Sequence, residues 1–399
     1  MKKLFATILA VAMTLSLAAC GAKKEEAPAA SSAPAASSAP AASSTEESTG
    51  MKICIITSSG IDAGSFNQNC YKGILDFVAD HPDCTVQDIK EPDYNELVPT
   101  VDRLAGDYDA FVLPGFNFTA IGDIAMNNPD KYFLVVDSTI TDSQGNPVTL
   151  NNVYTMTFSE QEGGFFAGMA AAFSTQTGKV AVVNAMAYPS NVNYQFGFMS
   201  GVNYANKHYG TTAEYVELPS YAGVDLTGAN VGGNYTGDFA DEATGKVVGE
   251  ALIAEGCDII FSAAGASGNG AWTAAKETSN VMMIGCDVDQ YDLGVAGDRN
   301  VVLTSTLKVM DVNVTRQLTE IYNGTFQGQD AMLGADSDSS SYVSAEGRQQ
   351  LSEEALTAMA ECYELVKNGT IVPAANFNGH TPTNFPGLEC TIRTRGNWS

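Results

Sequence analysis

The chain is poor in positive charge. Its 399 residues hold 20 Lys and Arg against 46 Asp and Glu, a formal net charge of −26, and no basic stripe interrupts that excess. This balance argues against nucleic acid or anionic lipid as the partner of the folded body, and for a neutral or cationic ligand. Histidine is scarcer still: His81, His208 and His380 stand far apart, with no HExxH and no ligand-like spacing to a cysteine, so no metal site is expected. The eight cysteines include no CxxC pair, and setting Cys20 aside leaves an odd number, which no complete disulfide framework uses. Cys54, Cys257 and Cys286 sit in or beside apolar runs and read as small core residues. A G-x-S-x-G elbow and a P-loop are both missing, which removes the usual motif support for an enzyme. No apolar run reaches the roughly 20 residues of a membrane span.

What is present begins with a secretory pattern. Lys2 and Lys3 precede an apolar run from Leu4 to about Leu17, followed by Ala18, Ala19 and Cys20. A short apolar segment ending in small residues is a signal peptide, and cysteine at the cleavage point resembles a bacterial lipobox, in which Cys20 is lipidated. Residues 1–19 are therefore expected to be removed. Residues 20–50, with three copies of APAASS, cannot bury apolar surface and read as a disordered tether. The expected location is the extracytoplasmic face of the membrane, held by lipid alone.

From Met51 onward, apolar β-branched runs alternate with helical periodicity. Strands are expected at 52–58, 85–90, 109–115, 132–138, 153–158, 179–186, 213–218, 258–264, 281–287 and 301–306, with helices between most of them. Strands that are apolar throughout and separated by helices indicate parallel sheets covered on both faces, and ten of them exceed one small sheet. The fold class is α/β, with two doubly wound parallel-sheet lobes joined by hinge crossings. The first lobe is expected to take 51–158 with about 281–320, the second 159–280 with about 321–373; residues 374–399 have no assignment.

In open parallel sheets the binding crevice lies beyond the carboxyl ends of the strands. The residues found there are Asp62 and Phe66 after the first strand, Asp137 after the fourth, the run GASGNG from Gly265, then Asp287 and Asp289, and Lys308. Carboxylates accept hydrogen bonds from hydroxyl or N–H groups, a lysine donates, and glycines let backbone N–H groups approach a ligand. Phe66 stands at the start of a helix, where its own helix offers nothing to pack on. Phe239 stands likewise before a helix in the second lobe. Two such rings could close on a flat heteroaromatic ring, each stacking contact adding roughly 0.5–1.5 kcal/mol, or each could cap the core of its own lobe.

GIDAGSFNQNCYKG, EQEGGFFAGMAAA, GDFADEATGK, GCDIIFSAAGASGNG, IGCDVDQ and LTSTLK occur in the order and spacing of one family. From Met51 to Pro373 the chain resembles the basic membrane protein family, lipoprotein substrate-binding subunits of ABC importers for nucleosides. The resemblance implies a type I periplasmic-binding-protein fold, a purine ring between Phe66 and Phe239, and Asp62, Asn67 and Asp137 on the base edge. It also implies a ribose held by Asp287, Lys308 and the backbone near Gly265. Partners would be a nucleoside, a permease and an ATPase, with the binding subunit a monomer that needs no cofactor. Where the family's loop reads close to GGMDIPPVRRF this chain has NAMAYPSNVNYQF, with Tyr188 and Tyr194 and no arginine. That departure leaves room for another flat heteroaromatic such as riboflavin. A ligand sensor outside transport is the further alternative, and an enzyme acting on nucleosides is the least supported.

Overall fold

The computed structural model describes residues 50–61, 65–375 and 391–392. Asp62, Cys20, the signal segment and the linker lie outside them. The described body belongs to one compact unit, residues 47–399.

Two six-stranded sheets carry the chain. The first comprises β1 (Lys52–Thr57), β2 (Thr85–Lys90), β3 (Ala110–Pro114), β4 (Tyr132–Val136), β5 (Val153–Phe158) and a late strand, β11 (Gln329–Leu333), in the order β11-β5-β4-β3-β1-β2. All of its pairings are parallel. The second comprises β6 (Lys179–Asn184), β7 (Glu214–Tyr215), β8 (Ile259–Ala263), β9 (Met282–Gly285), β10 (Val302–Lys308) and β12 (Ser340–Tyr342), in the order β12-β10-β9-β8-β6-β7. There only β12 runs antiparallel. The two lobes thus repeat one strand order, differing in the direction of the last strand, and each order reverses beside its first strand.

Each sheet is covered on both faces because alternate residues of its apolar strands point opposite ways. In the first lobe Ile53, Ile55 and Val112 face α1 (Ser65–Asp80) and α8 (Met310–Tyr322). Cys54, Ile56 and Phe111 face α2 (Leu97–Leu104) and α3 (Gly122–Asn127). In the second, Val180, Val182 and Phe261 meet α4 (Glu160–Ser174), α5 (Pro189–Tyr209) and α9 (Glu353–Lys367). Ala181, Val183 and Ile260 meet α6 (Glu242–Ala254) and α7 (Gly268–Glu277).

The expected division of the late strands is corrected by the sheet order. Residues 281–287 and 301–306 were expected to return to the first lobe, yet β9 and β10 continue the second sheet. A strand, helix, strand unit that keeps its hand lays the next strand beside the last, and β8, α7 and β9 do so, with Ile259 opposite Met282. The chain returns to the first lobe only after Lys308, through α8 and β11, so residues 329–333 leave the second lobe to which 321–373 was assigned. Ala374 and Ala375 are fully buried, and Ala374 packs with Val192 and Phe196 of the second lobe.

Three crossings join the lobes, at 158–160, 308–310 and 333–340. They run side by side: Ser159 N–H donates to Leu333 O (2.9 Å) and Val309 N–H to Ser339 O (3.0 Å). No described helix is long and apolar enough to cross a membrane.

Candidate functional site

The reversal of strand order falls between β1 and β3 in one lobe and between β6 and β8 in the other, and a cleft cavity opens where these two points face each other. Its empty volume, open mouth included, is about 940 Å³, a size that suits a small-molecule site. Ser58, Phe66, Asn67, Phe116, Asn117 and Asp137 line it from the first lobe; Tyr188, Phe239, Gly265, Trp272, Cys286 and Asp287 line it from the second, and Lys308 from the hinge.

Seven of the eight ligand residues expected from the sequence therefore share one cavity; the eighth, Asp62, is outside the described residues. Strand ends bring them there. Asp137 follows β4 and Asp287 follows β9, the fourth strand along each sheet, and both hold left-handed backbone with φ of 65° and 69°. Aspartate tolerates this conformation better than most residues, and such outliers concentrate at functional sites. The two lobes thus present matched carboxylates to the cleft floor.

Lys308 sits between them. Its ammonium lies 2.6 Å from Asp137 Oδ2 and 3.1 Å from Glu160 Oε1, with the lysine and Glu160 side chains only 4% and 3% exposed. The rings of Phe66, Phe158 and Tyr194 stand 5.1, 5.2 and 5.8 Å from the same ammonium. Tyr194 donates to Asp287 Oδ1 at 2.8 Å, and Asn193 to Glu160 Oε2 at 3.1 Å. Burial, only partly offset by Lys308 and reinforced by Glu160, pushes the Asp137 carboxyl up to about 7. Burial acts to lower Lys308, but Asp137, Glu160 and Asp287 together hold it above its ordinary value. Three acids around one cation leave a floor rich in acceptors, suited to ligand hydroxyls or N–H groups.

The two phenylalanines each touch both the core of their lobe and the cavity, Phe66 in the first lobe and Phe239 in the second. Gly265 backs the second ring: with φ of 57°, it would place a Cβ only 3.3 Å from Phe239 Cδ1. Asn67 spends its amide donors on Ser59 Oγ (3.0 Å) and Gly60 O (3.1 Å), fixing the turn after β1.

Glu160, Asn117, Tyr188, Tyr194 and Trp272 were not among the expected site residues. Glu160 and Asn117 follow β5 and β3, so the strand-end rule could have found both. Tyr188 and Tyr194 stood in the departing loop, whose sequence marks a difference without giving its direction. Trp272 is set by the packing of α7 and leaves no local signal. Neither described histidine lines the cavity.

The family described as ABC transporter substrate-binding protein PnrA-like matches residues 51–220 and 222–359. Among similar proteins, the CD4+ T-cell-stimulating antigen of Listeria innocua is 28% identical, over 93% of this chain and 98% of its own. The ABC transporter nucleoside-binding protein BmpA of Lactococcus lactis is 27% identical, over 70% and 77%. Basic membrane protein A of Borreliella burgdorferi is 30% identical, over 64% and 68%. A solute-binding protein of an ABC transporter system from Aeropyrum pernix superposes with a TM-score of 0.67 at 21% identity, covering 82% of this chain and 93% of its own. A transcriptional activator of the comK gene from Bacillus halodurans reaches 0.60 at 19%, covering 80% and 98%. These structures show the type I periplasmic-binding-protein fold and nothing finer.

Proposed function

Because the chain belongs to the PnrA-like family of ABC transporter substrate-binding proteins, we propose that it captures a nucleoside, above all a purine nucleoside, and delivers it to a membrane permease powered by an ATPase. The observation that carries this reading is the pairing of aromatic faces from both lobes with a buried cluster of carboxylates and one lysine in a single cavity. The Lactococcus lactis relative is named for nucleoside binding, which supports it. On this reading Phe66 and Phe239 flank the base, and Asp62, Asn67 and Asp137 face its edge. Asp287, Lys308 and the Gly265 backbone take the ribose hydroxyls. Contacts made to both lobes stabilise the closed arrangement and so shift the open–closed balance. The protein works as a monomer outside the cytoplasmic membrane, lipidated at Cys20, and binds without catalysis.

A second reading, a flat heteroaromatic with a longer polyhydroxylated chain such as riboflavin, draws on one observation. A second cavity, lined by Gln68, Tyr71, Lys72 and Asp289, meets the first at Asp287 and Lys308, which line both.

A thermal-shift panel of purine and pyrimidine nucleosides, free bases, ribose and riboflavin tests both readings. A ligand at a hundred times its Kd adds about 2.7 kcal/mol. Stabilisation by riboflavin alone would favour the second, and no shift with any nucleoside would sink the first. Release of free base or ribose from inosine would contradict a purely binding role.

A further inference from the structure

Among the described residues one bond crosses the cleft away from the hinge: the Tyr188 hydroxyl of the second lobe donates to Asn117 Oδ1 of the first at 3.1 Å. Both ends stand at helix starts, Tyr188 just before α5 and Asn117 in the 3-10 helix Phe116–Ile121. Tyr188 directly precedes Pro189, the first residue of α5, and proline confines its predecessor to extended backbone, here φ −74° and ψ 159°. Asn117 follows Gly115, whose φ of 116° suits glycine. The tyrosine ring lies 5.2 Å from Phe116 across the cleft and 5.9 Å from Phe239 in its own lobe, each tilted by about 40°.

This contact decides which face of the Asn117 amide is free. Its oxygen is taken by the phenol, and its NH₂ group has no protein partner among the described residues while the residue lines the cavity. Of the other amides that line the cavity, Asn67 donates to Ser59 and Gly60, Asn191 donates to Ala263 O at 2.7 Å, and Gln290 accepts from Cys286 N–H at 2.8 Å. Burial raises the Tyr188 hydroxyl above its ordinary value, which keeps it a neutral donor.

We infer that Tyr188 is a positioning residue that turns the Asn117 amide so that its NH₂ group meets an acceptor on the ligand's ring, selecting carbonyl-bearing heteroaromatics such as oxopurines over aminopurines. The two residues belong to opposite lobes, so the donor is oriented only when the lobes meet, and recognition of the ring acceptor is tied to closure. This inference rests on the nucleoside reading above.

The test is calorimetric titration of the whole protein, its Tyr188→Phe and Asn117→Asp variants, with inosine and adenosine, which differ at position 6 as carbonyl against amine and at N1 as donor against acceptor. The wild type should favour inosine roughly tenfold, the worth of one buried hydrogen bond. Tyr188→Phe keeps the ring contacts but frees the amide to rotate, so the preference should fall toward parity. Asn117→Asp keeps the acceptor for Tyr188 and removes the NH₂ group, so it should shift the preference toward adenosine. A merely structural role would weaken both ligands equally. A wild type that favours adenosine, or a ratio unchanged in both variants, overturns the assignment. Failure of every nucleoside to bind the wild type overturns the nucleoside reading and this inference with it, an outcome distinct from binding with an unaltered ratio.

Discussion

Lys308 is the residue on which the cleft floor depends. Replacing it with methionine leaves the Asp137 and Glu160 side chains buried, with half-buried Asp287 beside them, around no cation, and breaking such a network costs roughly 3–5 kcal/mol. Lys308→Met should therefore lower the urea midpoint strongly at pH 8 and recover part of the loss at pH 5, below the value of about 7 to which burial raises Asp137. Asp137 itself sets a second pH dependence. Its folded carboxyl titrates at about 7 against an ordinary value of 3.8, so the folded state holds the extra proton between those values. Its contribution is fully present below pH 4 and is lost as pH rises through 7, at up to about 1.4 kcal/mol per pH unit. The charged and titratable groups facing it are Lys308, Glu160 and Asp287. Glu162, which accepts from Ala335 N–H and is also pushed up to about 7 by burial, adds a parallel loss. Unfolding measured from pH 4 to 8 should show a shallower decline in Asp137→Asn than in the wild type. An identical slope would mean that Asp137 is not protonated in that window. At this scale the sequence was informative wherever a residue closes a strand, as Asp137, Asp287 and Lys308 do. It was silent on their mutual pairing, because residues from 137 to 308 converge only through the hinge.

At the scale of elements, two glycine-rich motifs proved to serve packing. In EQEGGFFAGMAAA, Gly164 and Gly168 of α4 face Gly197 and Gly201 of α5, and the helices approach until backbone nearly meets backbone. A Cβ on Gly168 would lie 2.1 Å from Phe198 O, and one on Gly201 2.0 Å from Phe165 O. In GASGNG the roles divide: Gly265 backs Phe239, whereas a Cβ on Gly270 would strike Glu242 O of α6 at 2.0 Å. Gly168→Ala should thus push α4 from α5 and cost about 1–3 kcal/mol, visible as a lower Tm. Gly106, with nothing within 4 Å of its Cβ, is the control and should stay within about 0.5 kcal/mol when changed to alanine. Equal effects at the two positions would refute the close-approach account. The buried strands were legible because both their faces are apolar. β11 was not: its residues QDAML are mostly exposed, with only Leu333 buried, so an edge strand of this kind carries no pattern to read.

For the whole molecule, the consequence of β11 and α8 is that the first lobe is not continuous in sequence. Met310, Val314, Leu318 and Ile321 of α8 are buried against Ile53, Ile74, Phe77 and Leu134, closing one face of the first sheet. β11 then pairs along the full length of β5, from Gln329 opposite Tyr154 to Leu333 opposite Phe158. A fragment of residues 51–158 would keep five strands but expose the cluster that α8 covers and leave β5 as an open edge. Each buried aliphatic side chain contributes roughly 1.5–3 kcal/mol, so four from α8 amount to a large share of what a domain of this size retains net. The fragment should therefore lack a cooperative urea transition and bind a hydrophobic dye. Joining residues 309–334 to its end through a glycine and serine linker long enough to reach from Phe158 to Val309 should restore one transition. If the bare fragment unfolds as cooperatively as the joined one, the lobe does not depend on its returning segment, and the three crossings are connections rather than part of its fold.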